Sequence, residues 1–251
     1  MHFRKEPFIS ALALITVWQV AASFFPPFLF PSIISIAQEL FSILSDKDQL
    51  SGAVATSLRI LFGMAGAFIV GGLLGVWMDL SNRVERYVHP VLTFNQGIPA
   101  LSWVVFSVIW FKSTELRIWF IIVMTTLPAF AFQIHDAYRA MSKDLVEMSL
   151  SFRPSRWDKF RTLILPSILP GIITAWKVNL GNVARVVVVA ELVGATVGVG
   201  YELLQRQQIF DMAGAIAWTL VLVFFVIVSQ GVVSLIEGRL LRYRPKSERA
   251  I

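Results

Sequence analysis

Glu147-Met-Ser-Leu-Ser-Phe-Arg-Pro-Ser-Arg-Trp-Asp-Lys-Phe-Arg-Thr-Leu-Ile-Leu-Pro166 is a charged, amphipathic island in a chain otherwise made of long apolar runs. It belongs to a loop, 136–166, between an apolar segment that stops near residue 135 and another that starts near 167. Leu145, Met148 and Phe152 fall at i, i+3 and i+7, and Trp157, Phe160 and Ile164 repeat that spacing. Each half of the loop therefore carries one apolar stripe on a helix, with charge on the other face. Arg153-Pro154 divides the halves. Proline disfavours the α conformation in the residue before it, which predicts a helix ending at Phe152 or Arg153. Pro154 is then suited to open the second helix, because its missing N–H is not needed in the first turn. The stretch reads as helix, corner, helix. Two uses fit it: a docking element for a partner protein, or a basic amphipathic loop lying on anionic lipid.

Composition says what surrounds the loop. The chain has 251 residues, of which 56% are apolar and 15% charged, and its mean hydropathy is +0.70. Soluble domains carry about 25% charged residues, so a water-soluble globule is excluded as the main expectation. A bilayer core about 30 Å thick takes roughly 20 apolar residues per helix. The length thus allows five to seven spans with short loops and no large soluble domain. There is no cysteine, which removes disulfides, thiol nucleophiles and thiolate metal sites. The net charge of +6 raises the question of a nucleic-acid partner, but membrane topology accounts for it.

Six apolar segments stand out: 8–25, 53–78, 97–111, 116–135, 167–190 and 212–236. The first is read as a retained transmembrane helix rather than a cleaved signal peptide, since it runs on past Ala21-Ala22-Ser23 into Phe24-Phe25. The third is short and broken near its start by Gly97-Ile98-Pro99, so it is expected inside the bundle, where freed backbone groups find partners. Pro31 to Leu44 spaces Ile33, Ile36, Ala37, Leu40 and Leu44 as an amphipathic helix at the membrane interface. Alternate loops divide Lys and Arg unequally. Fifteen lie with the termini and the 136–166 loop, including Arg4, Lys5, Arg83, Arg86, Arg139, Arg153 and Arg239 through Arg249; five lie opposite, at Lys47, Arg59, Lys112, Arg117 and Arg206. The positive-inside rule then places both termini and the loop in the cytoplasm. The all-α expectation is a polytopic membrane protein: 1–50 as a first span plus an outer interfacial helix, 51–237 as the core, 238–251 as a basic tail.

Two features mark the segments themselves. The second holds Gly63, Gly66, Gly71, Gly72 and Gly75, a small-residue pattern that lets helix backbones approach closely in lipid. The fifth holds Lys177, Asn179, Asn182 and Arg185 and ends at Glu191. Intramembrane ionisable groups cost roughly 2.5–3.5 kcal/mol on insertion scales and face a bundle interior or a wet cavity. They read either as a cationic, amide-lined stripe along a path for an anion, or as interhelical bonds with an Arg185–Glu191 pair. Asn95 and Gln96, just before the break at Gly97, are further pathway candidates. His89 and His135 read as interfacial or capping residues.

From about Thr56 to Ile236 the chain resembles the permease subunits of ATP-binding-cassette (ABC) importers, specifically the nitrate/sulfonate/taurine group with its type I transmembrane domain. The resemblance is carried by Ser57-Leu-Arg-Ile-Leu-Phe-Gly63, Pro90 with Ile98-Pro99-Ala100, Glu147 and Leu165-Pro166 in the loop, Pro170-Gly171, Ala190-Glu191 and Gly198-Val-Gly-Tyr201. It implies six transmembrane helices in a multi-pass protein of the bacterial plasma (inner) membrane. It also implies a second permease copy, two copies of an ABC ATP-binding subunit and an extracytoplasmic substrate-binding protein. The loop becomes a coupling helix that docks on the ATPase, with Asp144, Leu145, Glu147, Met148, Phe152 and Arg153 as its contacts. The family's usual Ala-Ala pair is Met148-Ser149 here, and its corner glycine is Arg153, so Pro154 is expected to enforce the corner.

The chain lacks the parts for chemistry of its own. It has no His-Glu-x-x-His, no Gly-x-Ser-x-Gly and no clustered carboxylate ligands, and the glycines of 194–200 have no Lys-Ser/Thr beside them. It is therefore expected to be non-catalytic and to bind no cofactor, with ATP and magnesium held by the partner. A rival reading, an ATP-independent carrier or channel, predicts two related halves with paired broken helices. No such internal repeat is evident.

Overall fold

The computed structural model describes residues 6–242, without the side chains of Pro7, Phe8, Lys143, Leu145, Leu150 and Arg156. The expectations for Arg4, Lys5, Arg244, Lys246 and Arg249, and for the Leu145 side chain, lie outside the described residues. Every regular element among the described residues is helical: α1 (Glu6–Phe24), α2 (Ile33–Ser45), α3 (Lys47–Leu80), α4 (Asn82–Gly97), α5 (Ala100–Trp110), α6 (Thr114–Arg139), α7 (Lys143–Ser151), α8 (Arg156–Lys159), a π-helical turn (Phe160–Ile164), α9 (Leu165–Leu192), α10 (Val199–Gln208) and α11 (Met212–Leu240).

The six apolar segments map onto α1, α3, the α4–α5 pair, α6, α9 and α11. Of these, α3, α6, α9 and α11 are each long and apolar enough to cross a bilayer, while α1 contributes the shorter stretch Ile9–Phe24. The third segment differs from expectation. It is the second arm of a bent pair, α4 and α5, that meet at 94°. Residues 82–96, taken from their charges as loop, are helical because Ser81 caps the start and Pro90 is accommodated within the helix. The break itself is where the sequence puts it: Ile98 ends α4 and Pro99 precedes α5.

The chain divides into two compact units, Met1–Ser57 with Glu191–Phe225, and Leu58–Ala190 with Val226–Ile251. In the first, Trp18 packs at a tilt against Phe30, ring centroids 4.3 Å apart, and donates its indole N–H to Pro31 O, which pins α1 to the start of α2. Ser32 caps α2 by accepting from the Ser35 N–H. Asp46 ends α2 and starts α3, accepting from the Asp48 N–H and the Gln49 amide. Those bonds, the Asp48 N–H foremost, hold its carboxyl below the usual carboxylate range.

The second unit is organised by α3 and α6, which run parallel. Glycines in α3 are placed where α6 comes closest: a Cβ at Gly71 would stand 2.6 Å from Leu127 O, and one at Gly75 would stand 2.7 Å from Ala131 O. The small-residue row is thus a packing surface for α6. Phe68, Phe130 and Trp176 meet at centroid distances of 5.3–5.8 Å and bring α9 onto the same core. Trp103, Phe106, Trp110 and Phe120 make a second aromatic cluster between α5 and α6.

Candidate functional site

The 136–166 loop folds as helix, corner, helix. α7 stops at Ser151, one residue before the predicted limit. Two details differ from the sequence reading. Pro154 does not open the second helix; Ser155 does, accepting the Asp158 N–H at 3.1 Å while its hydroxyl bonds Asp158 Oδ2. The corner is turned by Arg153 itself, which takes φ 48°. Left-handed backbone costs a non-glycine residue about 1–2 kcal/mol, so Arg153 adopts the conformation a glycine would supply cheaply. Pro154 does not replace it, because proline's ring governs its own φ and the residue before it only through sterics.

The described part of the loop's apolar stripe finds no cover among the described residues. Met148 is 57% exposed and Phe152 79% exposed, and Asp144 and Glu147 are exposed beside them. Trp157 and Phe160 stack at 5.7 Å, and both are exposed. Beyond the π-helical turn the chain runs straight on, so that Trp157–Leu192 forms one continuous helix from loop into span.

Beside α7 lies an ionic group that sequence reasoning missed. His135, read as a boundary residue, is buried. Its Nδ1 stands 2.6 Å from Asp79 Oδ1, and its Nε2 stands 3.5 Å from Glu85 Oε1. The Asp79 contact is close but not aligned as a hydrogen bond, and Asp79 Oδ2 is buried without a hydrogen-bond partner among the described residues. Arg139 reaches both Glu85 oxygens, at 2.8 and 2.9 Å. A cavity of about 340 Å³ opens next to it, lined by Met78, Asp79, Glu85, Arg139, Val146 and Glu147 among others. The available signal was the sequence itself: a histidine one turn before an arginine at the end of a span, with acids at the ends of two others.

The polar groups of α9 do not form one stripe. Lys177 pairs with Glu237 of α11 at 2.5 Å. Asn179 is buried and donates to Gln133 Oε1 of α6 at 3.2 Å. Arg185 and Asn182 lie together on an exposed face, joined by an Nη1 to Oδ1 bond of 3.4 Å. Helical spacing decides this: residues 177 and 179 turn toward neighbouring helices, while 182 and 185 share the outer face with Thr174 and Val178. Asn95 is half-buried and Gln96 exposed at the α4–α5 bend.

Glu191, at the end of α9, is fully buried. It accepts the Thr56 hydroxyl at 2.8 and 3.0 Å and the Gly200 N–H at 2.8 Å, while Thr56 Oγ1 accepts the Val199 N–H. The N–H of Val199 thus meets a hydroxyl and that of Gly200 a carboxylate, the charge the start of a helix favours. Gly198, at φ 136°, passes so close that a Cβ would stand 2.6 Å from Glu191 Oε1. The expected Arg185–Glu191 alternative is not the arrangement these bonds describe, since Glu191 ties the start of α10 to Thr56.

Apolar helices of spanning length, with an exposed amphipathic hairpin on the connection between two of them, define a multi-pass membrane protein. Residues 67–242 match the family described as binding-protein-dependent transport system inner membrane component, and the chain belongs to that family of ABC importer permeases. It is 28% identical over 245 residues to the formylaminopyrimidine transport permease protein ThiX of Halalkalibacterium halodurans, covering 96% of each chain. It is 25% identical to the taurine transport system permease protein TauC of Escherichia coli, covering 75% of this chain and 71% of that one. A nitrate import permease protein of Leptolyngbya laminosa is 25% identical over 202 residues, covering 77% of this chain and 72% of that one. Among solved structures, a chain of the MetNI methionine ABC transporter in an inward-facing conformation superposes with a TM-score of 0.67 at 19% identity. That match covers 76% of this chain and 95% of the other, and shows the shared type I fold.

Proposed function

We propose that this chain is the membrane subunit of a two-permease, two-ATPase importer, in which α7 and the corner after it dock on the ATPase and convert its closure into opening of a path. The observation that carries this is the uncovered stripe of Met148 and Phe152 beside Asp144 and Glu147. Large apolar side chains on a charged loop outside the spans gain by burial against a protein partner. The excess of Lys and Arg on the loop side supports a cytoplasmic location for α7 and both termini, where a soluble ATPase is available.

The solute path follows from Arg185 and Asn182. A cation on the outer face of a spanning helix is costly against lipid, so this face meets a second permease copy and a water-filled path between the two. Arg185 is then the group that draws a small anion, of the nitrate or sulfonate kind. A second reading is kept by the relative that matches over nearly the whole chain, which is named for a formylaminopyrimidine. With Lys177 neutralised by Glu237, one cation is all the path offers an anion from these two.

Purification of the tagged chain from host membranes in mild detergent tests the assembly. A stoichiometric nucleotide-binding ATPase supports it, and the ligand of the accompanying binding protein names the solute. A well-folded chain that emerges alone, or with itself only, overturns it in favour of an ATP-independent carrier or channel.

A further inference from the structure

The ends of α3, α4 and α6 nearest α7 carry four ionisable side chains that packing does not require. α3 already meets α6 through Gly71 and Gly75, whose missing side chains let the two backbones touch. Yet Asp79 and His135 are buried to 2% and 4% exposure, with Glu85 and Arg139 extending the chain of contacts. The order in space is Asp79 of α3, His135 of α6, Glu85 of α4, Arg139 of α6. α6 closes with Arg139, and α7 opens at Lys143.

We propose that these four residues are positioning residues that pass displacement of α7 to the bent α4–α5 pair. This rests on the coupled-importer reading above. A cavity, not close packing, lies between α7 and the ends of α3 and α4. Dense contacts transmit strain and an opening does not. The direct polar route from α7 therefore runs back along the chain to Arg139, and across its two bonds to Glu85 in the first turn of α4. Glu85 is fixed on its other side by His135, which the buried Asp79 holds in place. The buried Asp79 carboxyl resists separation from His135, so the inner part of the cluster shifts as a unit, with the more exposed Arg139 as its outer link. The far end of α4 is the 94° break, where Asn95 and Gln96 stand. Tilting α4 about that break re-aims both amides, so motion at the ATPase contact reaches residues proposed for the path.

The test uses the complete complex of permease, ATPase and binding protein in proteoliposomes, reading solute moved per ATP hydrolysed. Glu85→Arg and Arg139→Glu are each expected to retain the ATPase on purification, yet to lower transport per ATP by roughly five- to tenfold. Joining them restores the ratio, because the exchanged pair remakes the same bond. A merely structural pair would change yield and leave the ratio alone. Should either single variant not assemble, Glu85→Gln and Arg139→Gln remove the bond without repulsion, and the same drop in ratio is expected. Assembled variants that keep the wild-type ratio overturn the proposal, as does an exchanged pair that stays uncoupled. A wild-type complex that hydrolyses ATP without transport fails before any substitution, and removes the importer reading instead.

Discussion

Lys177 of α9 and Glu237 of α11 stand 2.5 Å apart within helices that cross the apolar layer, each about a third exposed. Arg185, two turns further along α9, has Asn182 of its own helix beside it on an exposed face. The two cations, alike in sequence, therefore do different work. Replacing Lys177 with Gln leaves Glu237 without its counter-charge and is expected to lower stability by about 1–2 kcal/mol, the buried-pair cost discounted for partial exposure. Replacing Arg185 with Gln is expected to leave thermal unfolding in detergent unchanged and to reduce solute uptake severalfold. An Arg185→Gln protein that melts early, or transports at full rate, would remove Arg185 from the path.

Glu191 holds the start of α10 through the Gly200 N–H and through Thr56, which accepts the Val199 N–H. Glu191→Ala leaves the Gly200 N–H buried and unmatched and the Thr56 hydroxyl with only the Gly52 carbonyl, at a cost of about 1–3 kcal/mol. Gly198→Ala is expected to cost at least as much. Its Cβ would strike the same carboxylate, and φ 136° is a conformation that L residues rarely adopt. Thermal melts of the two single variants and of the double variant check the relation. Because both act on one knot of bonds, the double variant falls short of the sum of the singles.

How far the sequence could be read depended on what each feature asks of the chain. Spans are legible because lipid demands some twenty apolar residues in a row, whatever they pack against. The break at Gly97-Ile98-Pro99 is legible for a similar reason, as a local rule about backbone. α4 was missed because Arg83 and Arg86 read as loop, while the helix is settled by the Ser81 cap and by packing on α6. The ionic cluster was missed for a stricter reason. Asp79, Glu85 and His135 lie on three helices, and no spacing rule joins residues across helix boundaries. Lys177 was misgrouped with Arg185 because both lie on one helix, and only the approach of α11 separates them.

The glycines of α3 separate packing from propensity. Ala is the better helix former by about 1 kcal/mol, so Gly→Ala in a spanning helix stabilises where space allows. At Gly71 the new Cβ meets the Leu127 carbonyl, which is backbone and cannot turn aside. Overpacking of this kind costs typically about 1–3 kcal/mol, and Gly71→Ala is expected to fall in that range. Gly97 has nothing within 4 Å of a built Cβ but is the last residue of α4, where the propensity gain is smaller than in a helix interior, so Gly97→Ala is expected to be neutral to slightly stabilising. Equal melting temperatures for the two variants would contradict the close approach of α3 and α6.

The loop gives the prediction that bears most directly on function, because stability and docking part company there. Glu147 and Phe152 are both exposed, so Glu147→Arg and Phe152→Ser are expected to shift stability of the isolated chain by no more than about 0.5 kcal/mol. Their effects on the complex differ in kind. Phe152 offers apolar area alone, and an anchor of that type is worth roughly 1–3 kcal/mol when a partner covers it. Phe152→Ser should therefore lower retention of the ATPase by tenfold or so, measured by pull-down at graded ATPase concentration, since each 1.4 kcal/mol is about a factor of ten. Glu147 offers charge, and reversing it sets a repulsive contact at the docking face without removing the stripe. Glu147→Arg is expected to fold and reach the membrane while ATP hydrolysis no longer drives uptake. Undiminished uptake by that variant would take Glu147 out of the coupling contact and leave the apolar stripe as the docking element.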